Sequence, residues 1–192
     1  MTSYSYEIKI PKDRIAVLIG KSGEIKKRLE ELSNSKLNID SEEGDVTVTG
    51  DDAIKLFNIR EVIKAIARGF NPETAQLLLK GDFTFEMINM NDFIRTKNDM
   101  TRLKGRVIGS EGKARRIIEE LTETDISVYG KTIGIIGLSE NVAVAKKAVE
   151  NLLGGSVHSN VYHWLEKQRR HLKMQNVEKF LKGDELKEPE ED

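Results

Sequence analysis

Two short stretches carry residue types that could hold an anion: Ile19-Gly20-Lys21-Ser22-Gly23 and Ile108-Gly109-Ser110-Glu111-Gly112. Glycine has no Cβ, so a ligand can approach the backbone N–H groups of such a segment closely. Cations surround both stretches. Lys26, Lys27 and Arg28 follow the first; Arg106 precedes the second, and Lys113, Arg115 and Arg116 follow it. The chemistry on offer is non-covalent: backbone donors and cationic side chains around a negative group. The two loops differ in charge. Lys21 adds a positive group to the first and Glu111 a negative one to the second, where Arg106, Lys113, Arg115 and Arg116 are expected to offset it.

Gly-x-x-Gly alone is a weak signal, but here its surroundings repeat. Ile19, Leu29, Leu32 and Ile39 match Ile108, Ile118, Leu121 and Val128 at a spacing of 89 residues. Val46, Val48 and Gly50 match Ile133, Ile135 and Gly137 at a spacing of 87. The two-residue slip falls in a turn, where length changes are tolerated. Apolar period, glycines and cations kept in register indicate two copies of one unit.

The elements that must position these loops follow from the pattern. Residues 4–10 alternate and read as a strand; Pro11 then suits a helix start over 12–19. The glycine loop breaks that helix, and a second runs from 24 to about 32 with Ile25, Leu29 and Leu32 at helical spacing. Short strands at 37–39 and 46–49 form a hairpin, and a closing helix runs to about residue 68. Asn71-Pro72 caps a connecting helix. The same order then repeats: a strand from 84, helices at 99–108 and 113–123, strands at 126–128 and 132–136, and a helix at 139–153 with Ser139 as cap. After Gly154-Gly155 comes an amphipathic helix, 157–181, with a break expected near Asn176. Val161, Trp164, Leu165 and Leu172 would dock it on the second unit, while Trp164 and Tyr162 also suit base stacking.

Strand, helix, Gly-x-x-Gly, helix, strand, strand, helix is the order of a type I KH domain, so the expected class is α+β. The few residues before Tyr6 leave no room for a type II order. In KH modules the glycine loop clamps the backbone of about four single-stranded nucleotides over an apolar groove. Groove candidates are Ile15, Leu18 and Ile39, with Lys104, Val107 and Val128 as counterparts; the apolar ones equally suit the core. The boundaries read as 1–69 and 83–154 for the two units, 70–82 for the connector, 155–182 for the added helix and 183–192 for an acidic, disordered tail.

Charge agrees with a polyanion partner. The net charge is only −1, yet residues 1–29 hold seven Lys/Arg against three acids, and residues 97–116 hold seven against two. Residues 184–192 hold six acids and one Lys. Such clustering marks a polyanion-binding face balanced by acid elsewhere. No apolar run reaches the ~18–20 residues of a membrane span, and no signal-peptide pattern opens the sequence, so a cytoplasmic location without membrane contact is expected. There is no Cys. His158, His163 and His171 share one helix without acids in ligand register, and neither a Ser/His/Asp set nor a phosphate-binding Walker loop is present. No enzyme, metal or cofactor is expected.

The chain resembles the archaeal relatives of the ribosome-assembly KH proteins called partner-of-NOB, or Dim-two. The resemblance spans both units, the connector and the basic C-terminal extension. A basic residue three places after the second glycine, Lys26 and Arg115, looks like this group, where ordinary KH repeats carry Ile. It implies binding to the 3′ region of small-subunit ribosomal RNA, cooperation with a Nob-type endonuclease, and a link to the alpha subunit of translation initiation factor two. Eukaryotic members have lost the first glycine loop; this chain keeps both. Alternatives are an RNA-degradation or messenger-RNA adaptor, without the β-rich domains cap subunits usually add, and a protein-interaction module with degenerate RNA sites.

Overall fold

The structure, a computed structural model, describes residues 4–94, 96 and 99–184, with side chains as far as residue 174. The first unit runs β1 (Tyr4–Lys9), α1 (Lys12–Ile19), a 3-10 turn (Lys21–Gly23), α2 (Glu24–Ser33), β2 (Ser35–Ile39), β3 (Asp45–Gly50) and α3 (Ala53–Ala67). A connector follows, α4 (Pro72–Ala75) tightening into a 3-10 turn (Gln76–Leu79). The second unit runs β4 (Phe83–Asn89), α5 (Asp99–Ile108), a 3-10 turn (Ser110–Gly112), α6 (Lys113–Thr122), β5 (Asp125–Tyr129), β6 (Thr132–Leu138) and α7 (Ser139–Leu153). Helix α8 spans His158–Asp184.

Each unit is a three-stranded antiparallel sheet, in the orders β1-β3-β2 and β4-β6-β5. The registers are equivalent: Ile39 pairs with Val46 and Val128 with Ile133. Alternation puts Val46 and Val48 inward beneath α3, and Ile133 and Ile135 inward beneath α7, all with no exposed surface.

Helix ends follow local chemistry. The Asp52 carboxylate accepts from the N–H groups of Ile54 and Lys55, and Asn71 Oδ1 accepts from Thr74 N. Ser139 does not cap α7: it is the first helical residue, and Leu138 precedes it without a side-chain bond. Nor is α8 broken near Asn176; it is continuous to Asp184, past the expected end at 182. Asn is a weaker helix former than its neighbours, but only by tenths of a kcal/mol. Of the expected acidic tail, residues 185–192 lie outside those described.

The units are not beads on a string. Every residue of β6 except Leu138 is buried, so both faces of that strand are covered. Ile133 and Ile135 point into the core of the second unit, while Ile136 joins the core of the first. Phe70, after α3, meets Phe85 on β4 edge to face, ring centroids 6.0 Å apart. Gly134 makes room for them: a Cβ there would lie 2.7 Å from the Phe70 ring. Polar ties surround the contact. Ser127 Oγ donates to Arg68 O at 2.9 Å, and the Tyr129 hydroxyl donates to the Asp13 carboxylate at 2.7 Å.

Helix α8 packs on α6 and α7. Val161 and Leu165 are buried in the second core and Trp164 packs against it half-exposed. Docking is therefore what the Val161-Trp164-Leu165 stripe does.

Candidate nucleic-acid interface

The two glycine loops have one geometry. Gly20 and Gly109 both take φ 73°, Gly23 takes 79° and Gly112 takes 78°. Ser22 and Glu111 also sit in the left-handed region, at φ 54° and 52°. For a residue with a Cβ that conformation costs about 1–2 kcal/mol. It recurs at both loops, where a sharp helix–helix junction is needed. Gly20 N donates to Ala16 O at 2.9 Å and Gly109 N to Gly105 O at 2.8 Å, closing the preceding helices alike.

The glycines of each pair have different tasks. A Cβ on Gly20 would lie 2.4 Å from Ile25 Cγ1, and one on Gly109 2.6 Å from Ala114 Cβ. These first glycines let the second helix fold back closely. A Cβ on Gly23 meets nothing, and one on Gly112 meets only ordinary contacts with Arg116. The second glycines therefore keep an open surface at the N-termini of α2 and α6. Neither N-terminus has a side-chain cap. The N–H groups of Glu24 and Lys113 donate to Lys21 O and Ser110 O within the loops, while the positive dipole end of each helix faces an outside anion with no side-chain cap in the way.

Lys21, Ser22, Lys27 and Arg28 are exposed at the first loop, as are Ser110, Glu111, Lys113 and Arg116 at the second. The Arg116 guanidinium reaches back to donate to Glu111 O at 2.5 Å, bringing a cation over the loop. Lys26 is half-buried. Arg115, its match, lies 3.5 Å from Glu119. Ile39 and Val128 are also half-buried, beside the helices they face. Ile15, Leu18 and Val107 instead belong to the core, while Lys104 is half-buried.

Arg106 is held elsewhere. Its Nε donates to Leu152 O at 2.8 Å and its Nη2 to Ser156 O at 2.5 Å. The guanidinium fastens α5 to the end of α7, and its charge is committed to carbonyls. Arg14 does the same in the first unit, donating to Ile66 O and Phe70 O. The sequence hid this parallel, because the two arginines are 92 residues apart and out of the repeat register.

Two groove-building residues escaped the pattern reading altogether. Glu30 Oε1 accepts from Leu37 N and Glu119 Oε1 from Ile126 N, both at 2.8 Å. Each tie holds the edge strand against the second helix, fixing the two walls of a groove. The spacing of 89 is the signal that could have found them. Burial pushes the Glu119 carboxyl above its usual range, against the lowering effects of the Ile126 N–H and Arg115. Among the described residues, no group of three or more His, Asp or Glu could hold a metal ion, and no helix is long and apolar enough to cross a membrane.

Two sheets of this order, each with a helix–glycine loop–helix at one end, define a tandem type I KH protein. Residues 5–67 match a KH domain family and residues 84–170 one described as eukaryotic type KH-domain, type I. A KH domain-containing protein of Methanocaldococcus jannaschii is 45% identical over 94% of this chain and 81% of its own length. Dim2p of Pyrococcus horikoshii is 44% identical at a TM-score of 0.80, covering 85% of this chain and 99% of that one. The same organism's aDim2p, solved in complex with a/eIF2alpha and rRNA, is 43% identical at a TM-score of 0.83, covering 88% and 96%. The RNA-binding protein PNO1 of Oryzias latipes is 34% identical over 58% of this chain, which spans 46% of that protein. The chain belongs to the Dim2p/PNO1 family of KH-domain proteins.

Proposed function

We propose that this protein is a non-catalytic, single-stranded RNA-binding factor of small-subunit ribosome assembly, acting in the cytoplasm on the 3′ region of the small-subunit ribosomal RNA. The observation that carries the reading is the uncapped helix N-terminus behind an open second glycine in both units. A phosphodiester fits there, because the positive end of each helix opens onto surface that no Cβ and no capping side chain fills. The RNA-contacting set is Gly20, Lys21, Ser22, Gly23, Lys26, Lys27 and Ile39 in the first unit. In the second it is Gly109, Ser110, Glu111, Gly112, Lys113, Arg115 and Arg116, with Arg106 in support through α5. The Pyrococcus complex with a/eIF2alpha and rRNA supports the same two partners for this chain. The Nob-type endonuclease follows from the family resemblance alone.

The test is binding of the full chain to single-stranded and duplex forms of a small-subunit 3′-end oligonucleotide across a salt series. If roughly four phosphates are neutralised, log K falls against log salt with a slope of about −3. A slope near zero, or equal affinity for the duplex, overturns the clamp.

A further inference from the structure

The second glycine loop has a neighbour that the first lacks. Helix α8 begins behind it, and a cleft of about 470 Å³ opens between α5, α6 and the first turns of α8. Its lining includes Gly105, Lys113, Ile117, His158 and Tyr162, and it shares Gly109 and Ser110 with the loop. This is not the groove facing β5. Arg115 and Glu119 form the stripe of α6 turned to that strand, whereas Lys113 and Ile117 lie about 200° round the helix.

We propose that this cleft is a nucleotide subsite: it takes one further unpaired base of the RNA held by the second loop, stacked on Tyr162, with its phosphate beside Lys113. The proposal rests on the RNA-binding function proposed above and extends the footprint of the second unit behind the loop.

Three independent features carry it. The first is a charge reversal between the copies. Arg102 and Lys113 line the cleft, and their matches at a spacing of 89 are Asp13 and Glu24. Arg102 is paired with Asp99 at 2.9 Å, so the cation available to a phosphate is Lys113, which is exposed. In the first unit, Asp13 is occupied by the Tyr129 hydroxyl, and Glu24 stands where the second has the cleft lysine.

The second is a preformed aromatic wall. Nε2–H of His158 donates to Arg106 O at 2.8 Å, so the proton sits on that nitrogen. The His158 and Tyr162 rings meet at 6.0 Å and 63°. Arg106 in turn fastens the α7–α8 link through Leu152 O and Ser156 O. Arg106, part of the basic cluster in the sequence, thus sets the wall in place. The third is lining chemistry. Gly105 opens onto free space, since a Cβ there meets nothing within 4 Å, and Ile117 adds apolar surface. Burial pushes the Tyr162 phenol up, in keeping with a ring seated against the cleft lining. A flat base with one phosphate matches an apolar slot with one cation; every base has a π-face, so such a site tolerates sequence.

The experiment uses the full chain, wild type and Tyr162→Leu. Leucine keeps apolar bulk, and Val161 and Leu165 keep α8 docked. Single-stranded oligonucleotides are lengthened one nucleotide at a time beyond the stretch the second loop protects, with 2-aminopurine at the added position. In wild type, one added nucleotide should tighten binding on the order of tenfold and quench the probe. In the leucine variant the short oligonucleotide should bind as in wild type, while the gain and the quench disappear. Photocrosslinking of 5-bromouridine at that position should label the peptide holding Tyr162. An equal gain in both proteins, or a crosslink confined to the β5 side, overturns the subsite. Failure of wild type to bind any single strand instead overturns the RNA-binding function itself.

Discussion

Changing Lys21 and Ser22 together to Asp tests whether the first loop holds phosphate. Both side chains are exposed, and Lys21 makes no ion pair among the described residues, so no packing or salt bridge is lost. Ser22 has φ 54°, a conformation Asp tolerates better than most residues. Both glycines stay, and with them the close approach of Gly20 to Ile25. The fold should therefore be intact while one positive charge is removed and two negative ones are added beside the uncapped α2 N-terminus. At about 5 Å and an effective dielectric between 20 and 80, each unit charge is worth roughly 1–3 kcal/mol. Three units at the low end give on the order of a hundredfold loss of affinity through that unit. The matching second-loop change, Ser110→Asp, adds one charge where Glu111 is already present, so its effect should be smaller. Both variants and wild type are titrated against one single-stranded 3′-end oligonucleotide by filter binding, with thermal melts as the folding control. If the double variant binds like wild type and melts like it, the first loop does not hold phosphate. If Ser110→Asp is the more damaging, the second unit is the principal site.

Other outcomes follow from the same geometry. Gly20→Ala puts a Cβ 2.4 Å from Ile25 Cγ1 at positive φ and should cost more than the ~1–2 kcal/mol of left-handed backbone alone; Gly23→Ala has only that backbone cost, and equal denaturation midpoints would refute the division of labour. Phe70→Ala removes a ring that is 5% exposed and wedged between Phe85 and Gly134, so urea unfolding should show a loss of about 3–5 kcal/mol; a loss below about 1 kcal/mol would mean the units do not lean on this contact. Glu119 carries a carboxyl whose folded pKa is raised, so the fold binds its proton more tightly than the unfolded chain does. Its contribution is greatest at acid pH, below the unfolded pKa, and declines as pH rises through the folded value. Glu119→Gln keeps an acceptor for Ile126 N and should make stability less dependent on pH as it rises above the ordinary Glu range; an unchanged profile would show that burial is not perturbing this group.

The sequence alone determined the unit, its duplication and its loops. Those properties are local: alternation makes the strands, 3.6-residue spacing makes the helices, and Gly-x-x-Gly with positive φ at both glycines breaks one helix into the next. Because the copies share a register, Ile39 and Val128 or Glu30 and Glu119 could be paired by arithmetic before any contact was known. Tertiary structure decided what those residues touch. Arg106 reads as an RNA ligand in a basic cluster, yet it lies within reach of two carbonyls at the end of α7, and nothing in the order of residues shows that a helix 46 residues away ends there. The union of the two units was hidden for the same reason. Gly134 and Ile136 look like ordinary strand positions; that their face is covered by Phe70 and the first core depends on how two finished sheets meet. The rear cleft is a third case, formed only where α8 returns to the loop. Periodicity records which face of an element is apolar, but the neighbour that covers it is chosen by contacts distant in sequence, which leave no local signal.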